Sequence, residues 1–229
     1  MNESAVLDFS AARHAMVEGQ LRPHNVTDPR ILEAMGSIPR EFFVPSTHVG
    51  VAYGDENIQL ISDRFLMQPL ILARLLQAAE IKPKDRVLEL APATGYSTLV
   101  LAALTSSIVC VEPDALLHKE VEKNIAAYAP GKAVAFAGAP VEGCLGRAPF
   151  DVIFINGCVE FLPDFLFNQL NEGGRLVTVM RRYGNAHAAH VGEARLYRKA
   201  KGEISWVSLF EANAPLAPGF SVPREFEFS

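Results

Sequence analysis

Two carboxylates and a turn of small residues stand where a nucleotide could be held. The run Val87 to Leu90 is apolar enough for a buried strand and feeds Ala91-Pro92-Ala93-Thr94-Gly95-Tyr96, which opens the helix-forming stretch up to Leu104. Small side chains after such a strand let a ligand lie against main chain, and only Gly or Ala leaves that room. Glu112 closes the next apolar run, the place from which a carboxylate accepts both hydroxyls of a ribose. Turn and acid together point to an adenosine-containing cofactor, although similar turns also occur in α/β proteins that hold no nucleotide. A dinucleotide fingerprint would put its third small position on Tyr96, which is too bulky for close helix-to-sheet packing, so a nicotinamide cofactor is disfavoured. Asn156 and Gly157, ending a later apolar run, should face the same crevice.

These residues need elements to position them. Short apolar runs alternate with helical stretches from residue 86 onward, the pattern of strand-helix-strand units around a parallel sheet. Strands are expected at Arg86–Leu90, Ser107–Val111, Val134–Ala137, Val152–Ile155 and Arg175–Met180, with helices near 96–104, 115–128 and 162–170 between them. The segments Ala194–Lys199 and Ile204–Ala212 read as an antiparallel hairpin about Lys201-Gly202. The expected fold is α/β: a doubly wound, seven-stranded, mostly parallel sheet with an N-terminal helical cap. Residues 1–80 form that cap, with helices over 5–20, 28–35 (capped by Thr27) and 69–79, and an extended apolar clamp at Phe42-Phe43-Val44-Pro45. Residues 81–229 form the Rossmann-like domain, and the two are expected to make one structural unit.

Composition narrows the partners. The 229 residues carry 21 basic and 26 acidic side chains, a net charge of −5, with no Lys/Arg run longer than a pair. Nucleic acid and anionic membranes need clustered positive charge, so neither is an expected partner. No apolar stretch approaches the roughly 20 residues that cross a bilayer, and the first residues lack a signal-peptide core, so the protein is expected in the cytoplasm. Cys110, Cys144 and Cys158 are an odd, scattered set with no basic neighbour, which reads as reduced core rather than disulfide, zinc site or nucleophile. His187 and His190 lack a third ligand and read as a solvated loop, so no metal is expected. The Gly-x-Ser-x-Gly elbow of the hydrolases is missing.

The spacing Glu89, Ala91, Ala93, Gly95 resembles the one used for S-adenosylmethionine, and the wider pattern resembles the protein-L-isoaspartate O-methyltransferase family. The resemblance runs through Arg13, Met16-Val17, Gln20-Leu21, Val26-Thr27-Asp28, Pro39-Arg40-Glu41-Phe42-Phe43-Val44-Pro45, Ala52-Tyr53, Asp55, Gln68-Pro69, the turn from Glu89 to Tyr96, Pro149-Phe150-Asp151, Gln169-Leu170 and Gly173-Gly174-Arg175-Leu176. It implies methyl transfer from S-adenosylmethionine to the carboxylate of damaged aspartyl residues in a protein or peptide substrate, which starts their repair. It also implies that Glu89, Ala91, Ala93, Gly95, Tyr96, Glu112, Gly138 and Ala139 surround the cofactor and that Met67, at the family's serine position, and Gln68 are the catalytic positions; Asn156 and Gly157, from their place at the switch point, are the substrate side. This chain departs from the family in four places. Met67 stands where the family has a serine before Gln68-Pro69, Ala91 and Ala93 replace the first two glycines of the turn, and Ala139 replaces an adenine-side acid. A relative that kept the fold as a binding or scaffolding protein is the alternative these departures raise.

Overall fold

The computed structural model describes residues 8–181 and 191–223. Its N-terminal part is a cap of short helices. Helix α1 (Phe9–Met16) starts where the Asp8 carboxylate accepts from the amides of Ser10 and Ala11, both at 3.0 Å. A wider turn over Val17–Leu21 and a tight one over Arg22–His24 extend it to Asn25, which ends it in the left-handed region. Helix α2 (Pro29–Ser37) is capped by Asp28, not by Thr27. The reason is tertiary: Gln77 Oε1 accepts from the Thr27 amide at 2.6 Å and draws Thr27 away from the helix end. Only the second half of the expected Phe42–Pro45 clamp is extended: Arg40–Phe43 coils into a single tight turn, and Val44 and Pro45 then run extended. That turn sends Phe43 into the core and leaves Phe42 68% exposed.

Next comes a feature absent from the sequence reading, an antiparallel hairpin of β1 (Ile58–Ile61) and β2 (Arg64–Leu66). Ile58, Leu60 and Leu66 are buried, whereas Ser62 and Asp63 at the tip are exposed. Helix α3 (Pro69–Ala78) follows, with Pro69 in the first turn, where a missing N–H costs nothing.

The remainder alternates strand and helix: β3 (Arg86–Leu90), α4 (Tyr96–Leu104), β4 (Ser107–Glu112), α5 (Ala115–Tyr128), β5 (Ala133–Ala137), β6 (Phe150–Val159), α6 (Asp164–Asn168), β7 (Leu170–Met180), β8 (Gly192–Ala200) and β9 (Glu203–Ala212). The last crossover helix is shorter than the expected 162–170 because β7 already begins at Leu170. In space the order is β5-β4-β3-β6-β7-β8-β9. The first five of these neighbours run parallel and β8 is reversed against both β7 and β9, so the sheet is the expected seven-stranded, mostly parallel one.

Strand order turns back at β3, so the crevice for a ligand lies beyond the carboxyl ends of β3, β4 and β6. One apolar cluster runs from Met16 and Leu21 through α3 and α4 to Val179, Leu196 and Ala214, welding the cap to one face of the sheet. The other face is covered by Phe150, Leu166, Ala217 and Phe220. A buried ion pair between Asp85 and Arg175 ties the entry of β3 to β7.

Candidate active site

The turn after β3 is built from three residues in the left-handed region, Ala91 at φ 61°, Ala93 at φ 57° and Gly95 at φ 87°. Ala91 donates to the Val111 carbonyl at 2.9 Å, and Gly95 donates to Pro92 at 3.0 Å and caps α4. The positive φ is what calls for glycine at position 95, since a Cβ there would meet Val121 only at an ordinary packing distance of 3.5 Å. Ala91, Ala93 and Tyr96 are all buried.

Glu112 reaches this turn from the end of β4. Its carboxylate accepts from the Ala93 amide at 2.9 Å and from the Asp114 amide at 3.1 Å. Arg64, carried by β2, adds two more donors: Nη1 binds Oε1 and Nη2 binds Oε2 at 2.8 Å. Arg64 also approaches the Ala91 carbonyl at 3.5 Å. Both side chains are buried, Glu112 completely. A carboxylate offers about four lone-pair positions, and Glu112 has four donors on it. The acid stands beside the main chain of the turn, where a ribose would lie, but the protein itself fills its acceptor positions, two of them with a guanidinium.

Glu89 lies one layer deeper. It is fully buried and accepts from the Ser97 hydroxyl and from Thr98 Oγ1 at 2.6 Å, so it fastens the first turn of α4 to β3. Burial pushes its carboxyl up to about 7, against the two hydroxyls that favour the charged form. Asn156, at the carboxyl end of β6, joins this network through Nδ2 to Ser97 Oγ at 2.9 Å. Gly157 is covered rather than open to the crevice: a Cβ there would lie 2.8 Å from the Pro215 carbonyl and 3.1 Å from the Ala217 methyl. The expectation that its side of the strand faces free space is thus corrected by the returning segment 213–217. Gly138 and Ala139 are exposed beside the end of β5, and Gly138 donates to the Glu112 carbonyl at 3.3 Å.

Met67 is buried, and its carbonyl accepts from Arg40 Nη2 at 2.7 Å. The same guanidinium binds the Ala52 carbonyl at 2.7 Å through Nε and lies 4.8 Å from the centre of the Tyr96 ring. Burial raises the Tyr96 phenol to about 12, so it stays protonated. Gln68 donates through Nε2 to Asp55 at 3.1 Å and through its amide to Asn57 at 2.9 Å. Arg40 thus links residue 67 to the start of α4 behind the turn after β3, a role no local pattern announces.

Other features lie apart. A cavity of about 570 Å³ opens between α2 and α4, at the amino ends of the strands, lined by Arg30, Glu33, Leu99, Tyr128 and Lys132 among others, and none of the candidate residues lines it. Burial raises all three thiols, Cys158 to about 11, so none is activated as a nucleophile. Among the described residues no group of three or more His, Cys, Asp or Glu could hold a metal ion; His187 and His190 fall outside them. No described helix is long and apolar enough to cross a membrane.

Comparison with known proteins fits this geometry. The sequence model of the family Protein-L-isoaspartate(D-aspartate) O-methyltransferase (PCMT) matches residues 11–213. The protein-L-isoaspartate O-methyltransferase of Koribacter versatilis is 37% identical over 169 residues, which cover 74% of this chain and 76% of that one. A solved protein-L-isoaspartate O-methyltransferase superposes with a TM-score of 0.76 at 24% identity, covering 90% of this chain and 66% of its own. A candidate beta-aspartate methyltransferase from Plasmodium falciparum, in complex with S-adenosyl-L-homocysteine, superposes with a TM-score of 0.74 at 17% identity, covering 90% and 97% of the two chains. These last two likenesses speak for the fold, and the first two settle the lineage: the chain belongs to the protein-L-isoaspartate(D-aspartate) O-methyltransferase family.

Proposed function

We propose that this protein is an S-adenosylmethionine-dependent O-methyltransferase that esterifies the carboxylate of damaged aspartyl residues in proteins or peptides, working in the cytoplasm. One observation carries the reading. A buried acid at the end of β4 is hydrogen-bonded to the left-handed turn after β3, at the switch point of the sheet, so a sugar and a main-chain cradle share one site.

When bound, the cofactor supplies a methyl group on an electrophilic sulfonium. Glu112 is the group for the ribose hydroxyls, with Ala91, Ala93, Gly95 and Tyr96 forming the cradle and Gly138 and Ala139 the adenine side. Glu89 acts through α4, holding Ser97 and Thr98 so that the helix start stays seated behind the turn. On the acceptor side Met67 and Gln68 form the edge, with Asn156 behind them. An acceptor carboxylate is already ionised at neutral pH, so no general base is required. Positioning in line supplies most of the acceleration. Met67 offers no hydroxyl to the acceptor, so its neighbours and the cap must hold the substrate. Residues 1–80 are the cap and 81–229 the transferase domain, and the shared core makes them act as one unit.

The test is transfer of label from methyl-labelled S-adenosylmethionine to an isoaspartyl peptide, with the matching aspartyl peptide as control. Base-labile label on the isoaspartyl peptide alone is expected. Cofactor binding without transfer would remove the assigned acceptor, and neither binding nor transfer would leave a protein that kept the fold for another use.

A further inference from the structure

We infer that Arg64 is a latch on the cofactor carboxylate: the closed site is held shut by the protein's own guanidinium, which must leave Glu112 before an adenosyl ligand can enter. This rests on reading the site as one for S-adenosylmethionine, and it adds a residue outside the turn and its acid.

Glu112 is saturated with donors. Two of its four acceptor positions are filled by the Ala93 and Asp114 amides, which belong to the turn itself and stay. The other two are filled by the Arg64 fork, one on each oxygen. A ribose presents two neighbouring hydroxyls, so removing Arg64 frees the number of acceptors that a diol needs, and leaving it in place frees none. Ligand and guanidinium are therefore alternatives on the same carboxylate.

Little besides that carboxylate holds the Arg64 guanidinium in place. Its hydrogen bonds go to Glu112 and to the Ala91 carbonyl, and to no other described group. Leu60 and Leu66 anchor the body of the hairpin, but the tip residues Ser62 and Asp63 next to Arg64 are exposed, and Ser62 is left-handed at φ 43°. The guanidinium can thus swing to solvent by motion of a short tip without unpacking the core. Burial makes the paired state strong, since a bidentate fork on a carboxylate in a dry site is held more tightly than one in water. Apparent affinity for a ligand falls by the fraction of molecules whose latch is open.

The experiment is calorimetric titration of S-adenosyl-L-homocysteine into the full chain and its Arg64→Gln and Arg64→Lys variants. It is joined by phenylglyoxal labelling of Arg64, mapped by mass spectrometry with and without the ligand. The glutamine variant should bind about tenfold or more tightly than the wild type, since it loses the charged fork but still caps the acid. The lysine variant should fall between them. In the wild type, labelling of Arg64 should rise severalfold at saturating ligand. Equal affinities, or an Arg64 that stays protected with ligand bound, would overturn the latch and leave the methyltransferase reading standing. No binding by any of the three proteins would overturn both. If the glutamine variant lacks a cooperative melt, the lysine variant and the wild-type labelling decide the matter.

Discussion

Two alanines in the left-handed region should make the turn after β3 a place where the protein is less stable than it could be. Ala91 and Ala93 have φ of 61° and 57°, a conformation that brings Cβ against the following carbonyl and costs an L-residue roughly 1–2 kcal/mol. Glycine removes that strain but adds about 0.4–1 kcal/mol of freedom to the unfolded chain. The difference leaves a net gain of about 0.5–1 kcal/mol for Ala91→Gly and for Ala93→Gly. A domain of this size shifts its melting temperature by about 2–4 °C per kcal/mol, so each variant should melt roughly 1–4 °C higher. The two residues share one turn, so the double variant need not show the sum. Differential scanning calorimetry gives the shift, and urea titration at unchanged slope confirms that the native state is what changed. A fall in melting temperature for either variant would refute the reasoning, because it would mean that the methyl packing outweighs the backbone strain.

Four more outcomes follow from the same kind of argument. Glu89 is raised in the folded state to about 7 from an ordinary value of 4.5, so the folded protein holds its proton where the unfolded chain has lost it. Stability should therefore be fully present below about pH 4.5 as far as this group is concerned and fall as pH rises to 7, by up to about 3 kcal/mol; Glu89→Gln should flatten that slope in urea titrations across pH. Asp85→Ala leaves Arg175 buried without its partner and should cost about 3–5 kcal/mol in a chemical melt. Gly143→Ala would place a Cβ 2.5 Å from the Gln169 side chain, whose Oε1 holds the Cys144 amide at 2.8 Å, at a φ of 66°. It should lower the melting temperature by several degrees, more than Gly131→Ala, which meets open space at a similar φ. Met67→Ser should raise transfer of label to an isoaspartyl peptide, and no change would place the acceptor elsewhere.

The strands were legible because the sheet is buried on both faces, so each core strand is an apolar run that carries its own signal. The turn after Leu90 was legible for the same reason, as was Glu112, an acid where an apolar run ends. The hairpin at Ile58–Leu66 was not, since its tip is Ser62-Asp63 rather than a glycine turn, and its strands are four and three residues long. Arg64 was invisible because its partner lies 48 residues on, and a pairing at that distance leaves no periodic trace. Thr27 misled because its competitor, Gln77, sits 50 residues away on α3. Gly157 misled because the covering segment around Pro215 arrives from the far end of the described chain. Apart from the hairpin, what escaped is in each case a contact between residues far apart along the chain.

The core that joins the cap to the sheet constrains when the chain can finish folding. Met16 and Leu21 share their apolar cluster with Leu196, Ala212 and Ala214, and Asn57 donates to the Asn213 carbonyl across 156 residues. The cap segment therefore waits during synthesis for strands made much later, with oily surface uncovered meanwhile. Contacts so distant along the chain make for slow folding and a window in which chains can stick to one another. Recovery of soluble protein on expression should be more sensitive to truncation within β9 than the modest number of side chains lost there would suggest.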